Sequence, residues 1–544
     1  MENIFVGGAW PYANGSLHIG HLAGLLPGDV IARYHRLKGD RVIYISGSDC
    51  HGTPIALRAK SENKNAYDIA SKYHEEFIDC FNKLGFSYDY YSRTDSNQHK
   101  LYVKNVIKKL HDKNLIYEKT TKELFCSKCN QFLPDRFVYG ICPKCNKEAR
   151  GDQCDQCGTI FEGNELINPT CKTCNSPTDL KQTKHLYFKL KTFQNIVLDK
   201  VLDSKEKWRV NAINNTLRYI ELGLKDKAIT RDLNLGVDVP ISGYEDKRIY
   251  VWIDAVIGYL SGTRYLLKTE EDFLGFWNNS TQFYYVHGKD NIPFHTIILP
   301  AICDGVGYED LNTKIISSEY LTLEGRKIST SSNWAVWLPD IINKYNPDAI
   351  RYFLLINNPE KRDADFSYRE FINSNNSELL GAWGNLINRT LIFIEKFYNK
   401  AIPKSFVDPK IDLSIQDLYQ NVGELIEKGE IKKALENIFF NIRSTNKYFD
   451  EKTPWSTRTS NQKDCENTIY NCVFSIINIA NILQPFLPIS SNKVLNWLNI
   501  DDSSWQVLHP YNNKDILDTS ILFNRIDKNE ILVEEDNLKK TLNL

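Results

Sequence analysis

The chain has 544 residues, length for three or four domains of ~150 residues each, with the 42% apolar and 25% charged content of an ordinary globular protein. Its 67 Lys and Arg nearly cancel its 68 Asp and Glu, leaving a formal charge of −1, so net charge by itself points to no nucleic-acid partner; one would need a local basic face. No apolar run reaches eighteen residues, which excludes a membrane-spanning helix.

In chain order, Ile4-Phe5-Val6-Gly7-Gly8 reads as a short buried strand entering a glycine turn. After the loop Ala9 to Leu17, Val30, Ile31, Tyr34 and Leu37 recur at helical spacing, and Pro27 either kinks this helix or marks its restart. Val42-Ile43-Tyr44-Ile45 is the next strand, closed by Gly47-Ser48-Asp49. Strand, helix, strand is the unit of a doubly wound parallel sheet, whose ligands gather at the carboxyl ends of the strands. His18 and His21 sit three apart at the helix start and so share a face. With the free N–H groups of a helix N-terminus they suit a nucleotide's phosphates, and Gly20 between them leaves room for a flat base.

Four Cys-x-x-Cys pairs follow within fifty residues: Cys126/Cys129, Cys142/Cys145, Cys154/Cys157 and Cys171/Cys174. Their polar flanks, among them Lys128, Asn130, Lys144, Asn146 and Asn175, are wrong for buried core cysteines. Disulfides are disfavoured too. The total of 13 cysteines is odd, no apolar secretory signal precedes Trp10, and a reducing, cytoplasmic compartment is expected. Eight thiolates suffice for two closed tetrahedral Zn2+ sites, structural rather than catalytic because no position is left for water. Nested pairing puts Cys142, Cys145, Cys154 and Cys157 on the first metal and Cys126, Cys129, Cys171 and Cys174 on the second; sequential pairing is the alternative. Nesting is favoured by the short inner linker, 146–153.

Beyond the cysteines, Leu186-Tyr187-Phe188-Lys189-Leu190 reads as a strand that ends the insertion near Lys184. Arg231-Asp232-Leu233 returns the chain to the sheet, which Phe283 to His287 and Lys314 to Ile316 extend. From Ser377 the pattern is helical almost to the end. Leu380, Trp383, Ile387, Leu391 and Ile394 lead into helices at 414–429, 431–451 and 465–484, with Pro485 and Pro488 breaking the last. The fold class is therefore α/β, a Rossmann-type doubly wound parallel sheet with a zinc-knuckle insertion, followed by an all-α helical bundle.

His18-Ile19-Gly20-His21, Asp49-Cys50-His51-Gly52-Thr53-Pro54, Tyr250-Val251-Trp252-Ile253-Asp254-Ala255 and Gly288-Lys289-Asp290 with Phe294-His295 together resemble the class I aminoacyl-tRNA synthetases. The cysteine knuckles followed by Tyr-Val-Trp-Ile-Asp-Ala resemble, within that class, the methionyl-tRNA synthetase family. The likeness runs from residue 3 to about 500. It implies activation of methionine by ATP to methionyl-adenylate, with release of pyrophosphate, and transfer to the 3′-terminal adenosine of tRNA(Met). His18, His21 and Lys327 would be catalytic. ATP would meet His18, Gly20, His21, Gly288, Asp290, Lys327 and Thr330, with Mg2+ accompanying it. Methionine would lie among Trp10, Tyr12, Asp49, Trp252, Ala255, Tyr259 and His295, with Asp49 taking the α-ammonium and soft aromatic walls the thioether. Asn385, Arg389 and Trp455 would grip the anticodon by base-edge contacts and stacking. The inner four cysteines match the family's commonest zinc site, so one or two structural Zn2+ are implied.

The sequence departs from the family in three places. Where the class carries Lys-Met-Ser-Lys-Ser, this chain reads Lys327-Ile328-Ser329-Thr330-Ser331. Loss of the second lysine would cost about 2–4 kcal/mol unless Arg326 or Mg2+ replaced it. Trp10 stands where the family often has leucine, and Val256 where it often has proline; both keep the pocket apolar. The resemblance divides the chain into 1–115 and 231–315 (halves of the catalytic domain), 116–230 (the connective insertion, knuckles at 126–174), 316–370 (a connecting module) and 371–544 (the anticodon-binding bundle). No further dimerising domain follows the bundle, so a monomer is expected. Two other functions stay open at this point. A class I synthetase for another aliphatic amino acid would carry a larger insertion; a catalytically silent tRNA-binding relative would have Thr330 as its best foothold.

Overall fold

A computed structural model describes the chain except residues 134–136, 152–153, 155–156, 158–162, 279, 309–310, 331, 502, 511–513 and 542–544. Strand β1 (Asn3–Gly8) leads into helix α1 (Ile19–Lys38), then β2 (Arg41–Ser48), β3 (Tyr90–Arg93) and α2 (Asn97–Asp112). Helix α1 passes through Pro27 without a break, so the proline neither restarts it nor ends it. The insertion opens on β4 (Ile116–Cys126) and closes on β5 (Asp179–Phe188). After α3 (Val251–Leu267), β6 (Gln282–Gly288) and β7 (Asn312–Ser318) complete the main sheet.

That sheet is parallel throughout, in the order β7-β6-β1-β2-β3. The central strand is buried on both faces, with Ile4, Phe5 and Val6 fully enclosed, as expected of a strand covered by helices on either side. The chain leaves β1 toward β2 on one side and returns as β6 on the other. The carboxyl ends of β1, β2 and β6 therefore flank the topological switch point, where an open α/β sheet binds its ligand.

The insertion corrects the reading of residues 186–190 as a newly resumed strand. Strand β5 begins at Asp179 and pairs antiparallel with β4 over ten residues, from Ile116↔Phe188 to Phe125↔Asp179. A two-stranded ribbon thus carries the knuckles away from the sheet and brings the chain back.

Hairpin strands β8 (Leu321–Leu323) and β9 (Arg326–Lys327) follow β7, and β10 (Ala364–Phe366) pairs beside β8 after α4 (Pro347–Ile356). The bundle holds α5 (Asn385–Tyr398), α6 (Pro409–Glu427), α7 (Ile431–Lys452), α8 (Pro454–Ser460), α9 (Gln462–Leu483) and α10 (Pro488–Trp497). Helix α9 is buried on every side from Thr468 to Leu483 and forms the bundle's axis. The expectation of helix almost to the end needs correction. Among the described residues, 498–528 contain no helix, and the chain then closes with α11 (Asn529–Thr541) against the connecting module. There Glu534 accepts from Lys344 Nζ at 2.6 Å and from Tyr345 Oη at 2.9 Å.

Candidate active site

His18 is the N-cap of α1, and its Nδ1 accepts from Gly20 N–H at 3.1 Å. His21 reciprocates, its Nδ1 accepting from His18 N–H at 3.2 Å, and the two rings face each other at 3.9 Å. This is a capping box built of imidazoles. It fixes both tautomers: with each Nδ1 an acceptor, a neutral ring carries its hydrogen on Nε2. Burial lowers both pKa values, with the neighbouring ring adding to the effect at His18, and His21 falls to about 4. Two neutral N–H donors and the free amides of the α1 N-terminus thus meet at one point. A Cβ on Gly20 would come within 2.9 Å of the His18 ring and 3.3 Å of Ile328 Cδ1, so only glycine allows the rings, the helix start and the Lys327 loop to meet.

Across the same strand ends lies the candidate methionine pocket. Asp49 is buried at the end of β2, and its Oδ1 accepts from His51 N–H at 3.1 Å. Burial and the neighbouring charge of Asp254 push its pKa well above the ordinary carboxylate range, an environment that favours an incoming cation. Trp252 donates from Nε1 to Tyr12 Oη and sets its edge against Phe294, ring centroids 4.2 Å apart. Tyr259, one helical face along α3, lies 2.9 Å from His295 Nε2 and 3.0 Å from the Gly8 carbonyl. His295 Nδ1 donates to Asn291 O at 2.9 Å, so Nε2 is an acceptor and competes with the Gly8 carbonyl for the single Tyr259 hydroxyl hydrogen; burial holds the ring near a pKa of about 4 and therefore neutral. Ala255 is half-buried on the same helix, and Trp10 lies edge-on to Tyr259. The Trp10 indole slots between Gly47 of β2 and Gly258 of α3, where any Cβ would overlap it. That slot is how the chain accommodates a ring at this position.

Sequence reasoning missed the network behind this pocket. Asp254, fully buried, accepts from His51 Nδ1 at 2.6 Å on one oxygen and from His99 Nε2 at 2.5 Å on the other. Burial pushes Asp254 upward, but the two imidazoles outweigh it and leave the pKa lowered. His51 and Asp254 stand inside the quoted strings, whereas His99 on α2 carries no local signal.

Lys327 ends the β8–β9 hairpin, exposed, with its ammonium 5.6 Å from the Tyr320 ring. Arg326 instead leans over Trp334, at 5.4 Å. Thr330 is exposed, and its carbonyl accepts from Asn333 N–H at 3.3 Å. Ser331 lies outside the described residues. Gly288 ends β6 and Asp290 follows it at the same sheet edge, where Asp290 Oδ1 accepts from Tyr320 Oη at 2.5 Å.

The eight thiols gather in two quartets: Cys126, Cys129, Cys171 and Cys174; and Cys142, Cys145, Cys154 and Cys157, with all sulfurs of a quartet within 4.8 Å of one another. Cys126–Cys174 and Cys145–Cys154 are 3.5 Å apart, Cys142–Cys157 3.8 Å and Cys129–Cys171 3.9 Å. Sulfurs at the corners of a tetrahedron with 2.3 Å zinc bonds stand about 3.8 Å apart, so both quartets fit Zn2+ and neither fits a disulfide. This is the nested pairing, although part of the inner linker (152–153) lies outside the described residues.

In the bundle, Asn385 and Arg389 share a face of α5. Asn385 Nδ2 donates to Asn446 Oδ1 at 3.3 Å, and Arg389 Nη2 to Asp450 Oδ1 at 2.5 Å. The Arg389 guanidinium lies 3.9 Å from the Phe449 ring, with Trp455, half exposed, 6.2 Å beyond. The three residues expected at an anticodon therefore form one surface ladder of amide, guanidinium and indole.

A parallel sheet with a His-x-x-His helix start at its switch point, a cationic hairpin facing it and an α-helical bundle behind it define a class I aminoacyl-tRNA synthetase fold. The family "tRNA synthetases class I (M)" matches residues 4–391, and "Anticodon binding domain of methionyl tRNA ligase" matches residues 408–528. Methionine–tRNA ligase 1 of Alkaliphilus oremlandii is 57% identical over 535 residues, covering 98% of this chain and 99% of its own; a methionine–tRNA ligase of Bacillus cereus is 54% identical over 539 residues with the same coverage. In fold the chain is similar to Mycobacterium tuberculosis methionyl-tRNA synthetase, solved with methionyl-adenylate, at TM-score 0.81 and 22% identity over 96% of this chain and 100% of that one. The chain belongs to the methionine–tRNA ligase family, the enzymes that activate methionine with ATP and charge tRNA with it.

Proposed function

We propose that the residues of this chain divide that reaction between two pockets and one distant surface. Asp49 takes the α-ammonium of methionine, and Trp10, Tyr12, Trp252, Ala255, Tyr259 and His295 enclose the thioether, whose polarisable sulfur packs favourably on rings. ATP lies across Gly20, Gly288 and Asp290, its phosphates receiving the Nε2–H donors of His18 and His21 and the ammonium of Lys327. Thr330 borders the same phosphates. Mg2+ arrives with the nucleotide and screens its charge. The methionine carboxylate attacks the α-phosphorus and pyrophosphate leaves with the bonding electron pair. No protein proton moves in that step, so positioning and charge stabilisation carry the catalysis. The methionyl group then passes to the 3′-terminal adenosine of tRNA(Met), whose anticodon meets Asn385, Arg389 and Trp455.

The observation that carries this reading is the placement of Asp49 with its aromatic wall and the His18/His21 pair at the carboxyl ends of adjacent strands, so that a carboxylate and a phosphate held there are neighbours. Zn2+ held by the two cysteine quartets would cross-link the insertion without entering the chemistry. Thirteen cysteines with no disulfide among them fit a reducing compartment, the cytoplasm, and we take the chain to act as a monomer.

The test is ATP–pyrophosphate exchange run with each of the twenty amino acids. Exchange that depends on methionine alone is expected. Exchange driven by another aliphatic amino acid, or none with any, would overturn the assignment of the pocket; the second result together with retained tRNA(Met) binding would identify a silent tRNA-binding relative.

A further inference from the structure

The hairpin brings only one ammonium to the nucleotide, because Arg326 leans onto Trp334 and Thr330 is neutral. A triphosphate whose β- and γ-groups leave as pyrophosphate carries more charge than one lysine offsets. A second cation already stands at the same place. Lys289 follows the last residue of β6, and the register Gly288↔Ser318 sets it beside Glu319 and Tyr320 at the end of β7. Its Nζ lies 3.8 Å from the centroid of the Tyr320 ring, the ring that Lys327 Nζ approaches at 5.6 Å. Two ammonium groups on one aromatic ring repel each other, an arrangement that rewards an anion between them. Tyr320 is itself held by Asp290, so the ring is a fixed platform for both. Lys289 is meanwhile held by Glu319 Oε2 at 2.6 Å and Asp363 Oδ1 at 3.1 Å, and its side chain remains 25% exposed. Among the described residues Lys327 makes no ion pair.

We propose that Lys289 is a catalytic residue of this chain, the second cation that binds the β- and γ-phosphates of ATP and stabilises departing pyrophosphate opposite Lys327. Glu319 and Asp363 keep its ammonium extended over Tyr320 until the phosphates take their place. In the step it serves, the bond from the methionine carboxylate to the α-phosphorus forms as the bond to the bridging oxygen breaks; Lys289 stays protonated and transfers nothing.

This inference rests on the nucleotide site described above, and the experiment separates the two. The full-length chain is compared with Lys289→Gln, Lys327→Gln and Lys289→Gln/Thr330→Lys in methionine-dependent ATP–pyrophosphate exchange, with the methionine dissociation constant and melting temperature measured in parallel. Lys289→Gln should lose on the order of 10²–10³ in exchange rate, with methionine affinity unchanged. A lysine returned to the hairpin by Thr330→Lys should recover about tenfold or more of that loss, because a cation is replaced. Recovery is the readout a structural role would not give, since Thr330→Lys leaves the contacts to Glu319 and Asp363 unmade. Lys289→Gln at near-parental rate, or a loss that Thr330→Lys does not recover, overturns the proposal. If Lys327→Gln also retains the parental rate, the nucleotide site itself is misassigned; if Lys327→Gln alone is inactive, only the role of Lys289 falls.

Discussion

At the residue scale, the His18–His21 pair is a helix cap that, in the proposed reaction, also serves the nucleotide's phosphates. The capping bonds consume both Nδ1 lone pairs and aim both Nε2–H groups outward, so the charge state matters as much as the position. His21 has its pKa lowered to about 4, and the unfolded ring titrates near 6.5. Between those values the unfolded chain binds a proton that the folded ring refuses. The stability linked to His21 is therefore complete above pH 6.5 and is lost as pH falls through that window. Exchange activity should accordingly show no titration of this ring between pH 6.5 and 8. His21→Ala should lower adenylate formation by about 10²–10³ while leaving the methionine dissociation constant unchanged, because its donor acts on charge developing at the phosphates. It should also cost about 0.5–2 kcal/mol of stability, the worth of a helix cap. An equal loss in methionine affinity, measured by equilibrium binding, would place His21 in the other pocket.

At the element scale, the insertion is the part least able to hold itself. Among the described residues, the hydrophobic cluster around its knuckles holds nine buried residues, four of them cysteines: Leu124, Cys126, Leu133, Val138, Cys142, Ala149, Cys154, Leu166 and Cys171. So small a core needs a cross-link. The outer quartet ties the end of β4, at Cys126, to the approach to β5, at Cys171 and Cys174, so that metal should lock the ribbon's tip. Cys126→Ser/Cys129→Ser should retain one zinc per chain by metal analysis, and cadmium-113 NMR should couple the remaining ion to Cys142, Cys145, Cys154 and Cys157. Coupling that omits Cys142 and Cys145 would favour sequential pairing. The Cys-x-x-Cys spacing was legible because metal ligation fixes short separations in the chain. The ribbon was not, because residues 179–185 (Asp-Leu-Lys-Gln-Thr-Lys-His) show no apolar alternation: a two-stranded stem exposes most of both faces and needs none.

At the scale of the whole molecule, one arginine joins three regions. Arg351 of α4 is fully buried and donates to Asp29 Oδ2 of α1 at 2.7 Å, to the Phe486 and Pro485 carbonyls behind α9 at 2.7 and 3.0 Å, and to Leu84 O at 3.3 Å. Burial alone would raise Asp29, but Arg351 and Arg33 outweigh it and hold the carboxylate below its ordinary range. Arg351→Ala should cost about 3–5 kcal/mol by leaving a buried charge less compensated. The depressed Asp29 contributes stability above the unfolded carboxylate value near 3.9, and that contribution is lost as pH falls through the folded one. The gap in denaturation midpoint between parent and variant should therefore narrow on acidification. A gap independent of pH would mean that Arg351 acts by packing alone.

Short strings in the chain already carry the His18–His21 helix start, the aspartate that closes β2, the four cysteine pairs and the helical periodicity of the bundle. Chemistry at those places needs residues adjacent in the chain or one helical turn apart, so local spacing records it. Which distant groups meet is settled by folding. Asp254 finds His99 across 155 positions and Arg351 finds Asp29 across 322, and no period in the chain encodes either meeting. Lys289, Tyr320 and Lys327 converge for the same reason: parallel strands β6 and β7 end in register, and the hairpin turns back over them. Burial by a second element, not the residue's own neighbours, turns an ordinary carboxylate or lysine into part of a site.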